Sequence, residues 1–521
     1  MYLLAFIEKN VETKNGQLAI NLISSVVAFG TNLIINFFLS PYIVRELGVE
    51  ANGFITLANN FISYASLVAI ALNSMAGRFI TIKVHQADLE GANKYYASVT
   101  VANIAFASVM LIPAIATVNY LEHIINISTN LLWDVKLLFS FVFINFLLST
   151  AFSSWHTATF VSNRLYLQSI RRMLSQLLRV IVIVWLFALF QPSVYYVGVG
   201  TLIGTIYLTL YSLYYKRRLL PELQIRKRDI EFSYLRELVS SGIWQTILKA
   251  GQLLLSGLDL IIANLFIGSN EMGMLALAKT VPFALTHLAG TLASVFAPTL
   301  TIQFAKGNLD ELKNDLKKSM KFLGVILTIP LSILFVFGEE FYTLWVPTED
   351  AQVLQVLSVL TIFGMIFTSG IQTLYNIFTV VNRLRVHALL MVLAGIVNVV
   401  IVLVLLLTTN LGIYAVAAVS TVVNFFRNIL FTVPYGAKYL NLKWHTFFPE
   451  VIYSVICSIL SVLIGLGVKQ FFVIDSWFLL SVAAIITAII GLALNVYVVL
   501  NKKERQYLYK AITRRLNKKQ D

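Results

Sequence analysis

Fourteen mainly apolar stretches, each about 20 residues or longer, run through this 521-residue chain. A stretch of that length crosses a bilayer as one helix, because in lipid the backbone must satisfy its own hydrogen bonds. Their limits read 18–44, 53–80, 95–118, 131–160, 170–190, 193–215, 239–266, 272–303, 320–338, 352–380, 386–407, 411–434, 447–470 and 477–500. Charged residues make up 12% of the chain, against about 25% in soluble domains, too few to coat a water-soluble surface of this size. The expected fold is an all-α polytopic membrane protein. That excludes a cytosolic enzyme, a secreted disulfide scaffold and a disordered regulator. The single cysteine, Cys457, has no partner for an internal disulfide. The first apolar stretch is too long for a cleaved signal peptide and lacks a small-residue cleavage site.

Basic residues fix the expected orientation. Counted by loop, about 31 Lys and Arg fall in the N-terminal tail, the even-to-odd loops and the C-terminal tail. The opposite loops hold about two, Arg45 and Lys469. This asymmetry places both termini on the cytoplasmic side of a plasma membrane. The net charge of +14 is concentrated in segments such as Lys216–Arg228 and Asn501–Lys519, and reads as membrane-surface charge rather than a nucleic-acid footprint. The tail from Lys502 to Leu516 is expected as an amphipathic helix on the anionic leaflet.

No loop is large enough for a folded extramembrane domain. The phosphate loop GxxxxGK[ST] and the HExxH, CxxC and GxSxG motifs are absent from the sequence. With no catalytic residues, metal ligands or cofactor signature to name, the pattern is that of a carrier. The outer acidic cluster Glu339, Glu340, Glu349 and Asp350 reads as a solvated loop.

The chain also resembles itself. LGVEANGFITLA (Leu47 to Ala58) aligns with IGSNEMGMLALA (Ile267 to Ala278), pairing Gly48 with Gly268 and Gly53 with Gly273. The match runs ungapped through the next stretch, pairing Leu72 with Leu292 and Thr81 with Thr301, at an offset of about 220. Six spans is an even number, so spans 1–6 and 7–12 are expected as parallel six-helix repeats around a central site, with spans 13 and 14 outside them. The resulting division is a first bundle with its basic linker (1–235), a second bundle (236–440), two additional helices (441–500) and a basic cytoplasmic tail (501–521).

Polar residues inside spans point to that site. At about 100° per residue, Gln245, Lys249, Gln252, Ser256 and Asp259 share one sector of span 7. Asn21, Ser25, Asn32 and Asn36 share one face of span 1, and Asn59, Ser63, Ser66 and Asn73 one face of span 2. At the repeat offset, Lys279 of span 8 takes the place of Asn59. Such stripes must face protein or water, and deep charges commonly mark pathways. The candidate substrate-binding residues are Lys249, Lys279, Arg78, Asn32, Asn36, Asn59, Gln245 and Gln252, with Asp259 as the candidate ion-coupling residue. Mostly cationic depth suits an anionic head group such as a pyrophosphate. Interhelical hydrogen bonding is the plainer role for the neutral positions, and a structural ion pair for the charged ones.

FFLSPYIVRELGVEANGFITLANNF (Phe37–Phe61) and LNSMAGRFITIK (Leu72–Lys83) resemble the start of bacterial polysaccharide-export flippases, including the O-antigen type. These belong to the multidrug/oligosaccharidyl-lipid/polysaccharide (MOP) superfamily. The resemblance implies two six-helix bundles and translocation of an undecaprenyl-pyrophosphate-linked oligosaccharide across the bacterial plasma membrane by alternating access. In the related lipid II flippases two extra C-terminal helices form a lipid-tail groove, which spans 13 and 14 would supply here. The implied partners are the lipid-linked substrate, membrane lipids, H⁺ or Na⁺, and a polysaccharide polymerase or assembly protein, with no nucleic acid. The alternatives are a multidrug antiporter of the same superfamily and a lipid II flippase for peptidoglycan.

Overall fold

The computed structural model describes residues 14–381, 383–500 and 505. The expected amphipathic tail, apart from Arg505, lies outside the described residues. Among them are fourteen helices long and apolar enough to cross a membrane. Spans 1–7 are Ile23–Leu47, Val49–His85, Leu89–Asn119, Thr129–Ala151, Leu165–Leu189, Tyr195–Leu219 and Phe232–Phe266. Spans 8–14 are Ser269–Phe304, Leu309–Trp345, Ala351–Thr368, Leu384–Thr408, Ile413–Tyr439, Phe448–Lys469 and Trp477–Val499. The chain is therefore an all-α polytopic membrane protein.

Hydropathy located the helices but not their ends. Span 9 was expected over 320–338 and runs 37 residues, Leu309–Trp345. Its first turns, LDELKNDLKKSM, are too charged for an apolar window. They are nonetheless good helix formers, and Asn308 caps them by accepting from the Glu311 N–H. The opposite error occurs at spans 4 and 10, expected to end at 160 and 380. There the helix gives way to short pieces, Ser153–His156 and Thr157–Val161 in one case, Met365–Thr368, Gly370–Thr373 and Tyr375–Val380 in the other.

The helices carry their polarity inside out. In span 11 the residues Leu389, Leu393, Ile396, Val400 and Val404 are exposed, while Ala388, Met391, Gly395, Asn398 and Val402 are buried. Large aliphatic side chains thus take the lipid face, and small or polar ones allow close helix contact.

The chain forms two compact units, residues 1–253 with 260–276, and residues 254–259 with 277–521. In the first, span 1 packs on 5, 5 on 6, 6 on 4, 4 on 3, 3 on 2 and 2 on 1, closing a ring. Its core gathers Tyr95, Tyr96, Ile80, Val161 and Leu238. In the second, span 11 packs on 12, 12 on 10, 10 on 9 and 9 on 8, while spans 13 and 14 pack on each other and on span 9. Sandwiched this way, span 9 is the most enclosed of the fourteen.

The hairpin of residues 260–276 belongs to the first unit, although the chain on either side of it lies in the second. Two features hold it there. Asn126 donates from its N–H and Nδ2 to Asn264 Oδ1 and O at 2.7 and 2.8 Å, and Asn264 Nδ2 donates to Asn126 O at 2.9 Å. The repeat-matched glycines Gly53 and Gly273 also meet. A Cβ on Gly53 would lie 2.7 Å from Gly273 Cα, and one on Gly273 would lie 2.4 Å from Val49 O. Only the missing side chains permit that crossing.

Candidate transport site

Spans 2 and 7 touch where Gly242 faces the Ala71 carbonyl, at a separation where a Cβ would lie only 2.4 Å from that oxygen. One turn further along, the two helices leave a cavity of about 280 Å³ lined by Ile70, Ser74, Met75, Gln245, Leu248, Lys249 and Gln252. Residues 245, 249 and 252 line it together because spacings of four and three keep them on one helical face. Lys249 is exposed to this space, and no carboxylate lies within ion-pairing distance of it among the described residues. A cation beside two carboxamides and a hydroxyl can bind an anionic or polyhydroxylated group.

The other deep cation is placed differently. Lys279 and Asp259 form an ion pair in the second unit, and the two residues are 2% and 1% exposed. Both sit at helix breaks. Span 7 is interrupted between Ser256 and Asp259, and span 8 at Lys279 between Ala278 and Thr280. Pro282 explains the second break, since it has no N–H to give the Ala278 carbonyl one turn back. That carbonyl instead accepts from Ser358 Oγ at 2.7 Å and Tyr342 OH at 3.3 Å. Asp259 Oδ1 is buried without a hydrogen-bond partner. In this conformation Lys279 is engaged by Asp259 and closed off from the outside, whereas Lys249 is open.

The remaining candidates are dispersed. Arg78 is exposed on span 2 and has no carboxylate within ion-pairing distance among the described residues. Asn59 Nδ2 donates to its own helix at Ile55 O, 2.8 Å away, and Asn36 Nδ2 donates to Asn32 Oδ1 at 3.0 Å. Two stripe members are structural. Asn73 exchanges hydrogen bonds with Asn103 at 2.9 Å, and Asn21 holds Asn163 O and the Tyr166 N–H. In the acidic cluster of Glu339, Glu340, Glu349 and Asp350, Asp350 caps span 10 and Glu340 pairs with Lys469 at 2.5 Å, so neither is merely solvated.

Sequence reasoning missed two sites. In the second unit an apolar cavity of about 310 Å³ lies between spans 8, 9 and 14, lined by Leu285, Pro330, Phe337, Phe341, Trp477 and Leu480 among others. In the first unit, Arg171 donates to Tyr207 and Tyr215 hydroxyls at 3.1 Å each and lies 3.8 Å over the Tyr211 ring. The run of tyrosines at spacings of four, YLTLYSLYY, was the legible signal for it.

Fourteen spans, two of them interrupted beside a buried ion pair, define a polytopic membrane protein with charged groups held inside its helix bundle. The chain belongs to the polysaccharide biosynthesis protein family, whose model matches residues 18–304. It is 28% identical over 491 residues to the uncharacterized membrane protein EpsK of Bacillus subtilis (strain 168), covering 94% of this chain and 97% of that one. Among solved structures it is similar to the lipid II flippase MurJ in its inward closed conformation, with TM-score 0.71, 13% identity, and 91% and 98% of the two chains covered. It is also similar to an inward-facing multidrug resistance MATE family transporter, with TM-score 0.59, 16% identity, and 81% and 98% covered. At these identities the two structures speak for the fold alone.

Proposed function

We propose that this protein moves an undecaprenyl-pyrophosphate-linked oligosaccharide across the bacterial plasma membrane by alternating access, for surface polysaccharide synthesis. The observation that carries the reading is the open Lys249 in a cavity lined by Gln245, Gln252 and Ser74. In the first unit Lys249 would take the pyrophosphate, with Arg78 as a further cation, and in the second unit Lys279 would meet substrate only in a state where its ion pair opens. The amides of spans 1, 2 and 7 would hydrogen-bond sugars. The apolar cavity beside span 14 would take polyprenyl chain. Asp259 would exchange a proton or Na⁺, since its second oxygen has no partner. Both termini would be cytoplasmic, following the basic loops. Two parallel six-helix repeats fit the neighbour order, because 5–6–4–3–2 in the first unit recurs as 11–12–10–9–8 in the second.

The test is transbilayer movement of a fluorescent undecaprenyl-pyrophosphate oligosaccharide in proteoliposomes. A hydrogen bond to a charged group contributes about 1.5–3 kcal/mol, so Lys249→Ala should slow movement about 10- to 100-fold. Unchanged movement in Lys249→Ala removes the head-group role. A second reading is a small-molecule antiporter or a lipid II flippase. Its support is what the similar solved structures are, a lipid II flippase and a multidrug resistance transporter, together with the deep carboxylate Asp259. Movement of lipid II but not of a panel of lipid-linked glycans would favour the flippase form. Gradient-driven drug efflux without lipid movement would favour the antiporter.

A further inference from the structure

Arg427 is the most buried arginine among the described residues of the second unit, at 5% exposure, and its neighbours do not neutralise it. It ends the first α-helical part of span 12, where Asn428–Thr432 forms a π-helical turn before the α-helix resumes at Val433. Such turns are rare and gather at functional sites. The guanidinium donates to Asn424 Oδ1 at 2.8 Å, to Asn428 Oδ1 and Tyr375 OH at 3.1 Å, and to Thr432 Oγ1 at 3.4 Å. All four acceptors are neutral, and among the described residues no carboxylate lies within ion-pairing distance. Three of the contacts crowd on Nη2, whereas Nη1 carries two hydrogens and makes one long bond.

A buried charge is ordinarily paired, and an uncompensated one is costly. Beside this guanidinium is a small cavity, about 10 Å³, room for one water-sized atom. Its polar lining is Arg427, His387, Thr432 and Tyr435, and its walls are Phe378, Val386, Leu390 and Phe431. One permanent cation, an imidazole ring, the Tyr435 hydroxyl and no carboxylate make a cup for an anionic oxygen. The residues from spans 11 and 12 place it within about two turns of the start of span 11, where Arg383, Arg385 and Lys438 stand on the basic face. Basic pockets between spans on that face suit acidic lipid head groups. The first unit shows the contrast. At the repeat offset of about 220, Tyr207 and Tyr215 replace Arg427 and Tyr435, and the cation there, Arg171, is covered by the Tyr211 ring.

We propose that the Arg427 cup binds an anionic phosphate oxygen, presented by an acidic phospholipid head group or by free phosphate. The site lies in the second unit, apart from the Lys249 cavity of the first, and does not depend on the transported substrate.

The test uses the full-length protein in nanodiscs of phosphatidylcholine, with or without phosphatidylglycerol, and with or without inorganic phosphate. Retained lipid is read by native mass spectrometry and the thermal midpoint by intrinsic fluorescence. Stabilisation by phosphatidylglycerol, weakened about tenfold or more in apparent affinity by Arg427→Gln, is the expected result and assigns the lipid source. Stabilisation by inorganic phosphate in pure phosphatidylcholine, lost in the same variant, assigns the free anion. Because Arg427 also braces span 12 against the short helix Tyr375–Val380, a double variant, His387→Phe with Tyr435→Phe, serves as the second probe. It keeps all four guanidinium contacts and should still weaken the anion about threefold or more. Failure of both anions to bind, or binding that neither variant alters, overturns the proposal.

Discussion

Breaking the Asp259–Lys279 pair should be among the most damaging single changes in the second unit. Both side chains are almost wholly buried, at 1% and 3% exposure, so neither charge can turn to water if its partner goes. At about 4 Å and an effective dielectric near 20, the pair attracts by roughly 4 kcal/mol. Removing one partner from a buried pair costs about 3–5 kcal/mol, because the other is left uncompensated. Lys279→Met should therefore lose about 3–5 kcal/mol, and Asp259→Asn a comparable amount. The double variant Asp259→Asn/Lys279→Met buries no net charge and should recover most of that loss, to within about 2 kcal/mol of the parent. Reversible unfolding in mixed micelles titrated with dodecyl sulfate, followed by tryptophan fluorescence, measures all four corners of the cycle. A Lys279→Met loss below about 1 kcal/mol, or losses that simply add in the double variant, would refute the pair as a closed electrostatic unit. The same cycle bears on transport. If the double variant is stable yet moves substrate without responding to an ion gradient, the pair is where the ion acts.

Three smaller tests follow from the packing. Gly273→Val places a side chain against the Val49 carbonyl, where even a Cβ would lie 2.4 Å away, and should cost about 1–3 kcal/mol or more, read in the same unfolding assay; Gly290→Ala, in open space, should be nearly neutral. Ser358→Ala removes the shorter of two bonds to the Ala278 carbonyl and should cost about 1 kcal/mol, and adding Tyr342→Phe should cost more than the sum of the singles, since the carbonyl is then orphaned. Asp88 accepts from Lys83 Nζ at 2.8 Å and from the Gly91 N–H at 2.9 Å, and the lysine bond with that N–H holds its carboxyl below the usual range. Its contribution is thus full above the unfolded pKa, near 3.9, and is lost as pH falls through the lower folded value, so Asp88→Asn should flatten the acid limb of stability against pH.

What could be read from the sequence follows how each feature is encoded. The spans are written in composition, one residue at a time, so all fourteen were found. Their ends are not, because the charged first turns of span 9 are helical for reasons of propensity and capping that hydropathy does not see. The span 7 stripe is written in spacing along a single helix, and Gln245, Lys249 and Gln252 do line one cavity. The stripes of spans 1 and 2 use the same spacing, yet Asn21 and Asn73 turn to Asn163 and Asn103, residues about 142 and 30 positions away. Helical periodicity says which residues share a face, not which neighbour the face meets.

The pairing of Asp259 with Lys279 shows the limit most clearly, and also how it can be passed. Twenty residues separate them, on two helices joined by a tight hairpin. Laid straight, antiparallel helices of that length would bring residues near positions 259 and 279 to about the same depth, since each lies about ten residues from the turn at Gly268. Opposite charges at equal depth on adjacent spans are a pairing signal that periodicity within either helix alone does not carry. Pro282, three residues past Lys279, adds the break that frees the backbone there. Read together, the hairpin, the matched depths and the proline make Lys279 a partner for Asp259 first; under the proposed function it would meet substrate only in a state where that pair has opened. The proposed coupling then has a physical form: what protonates or binds Asp259 releases Lys279.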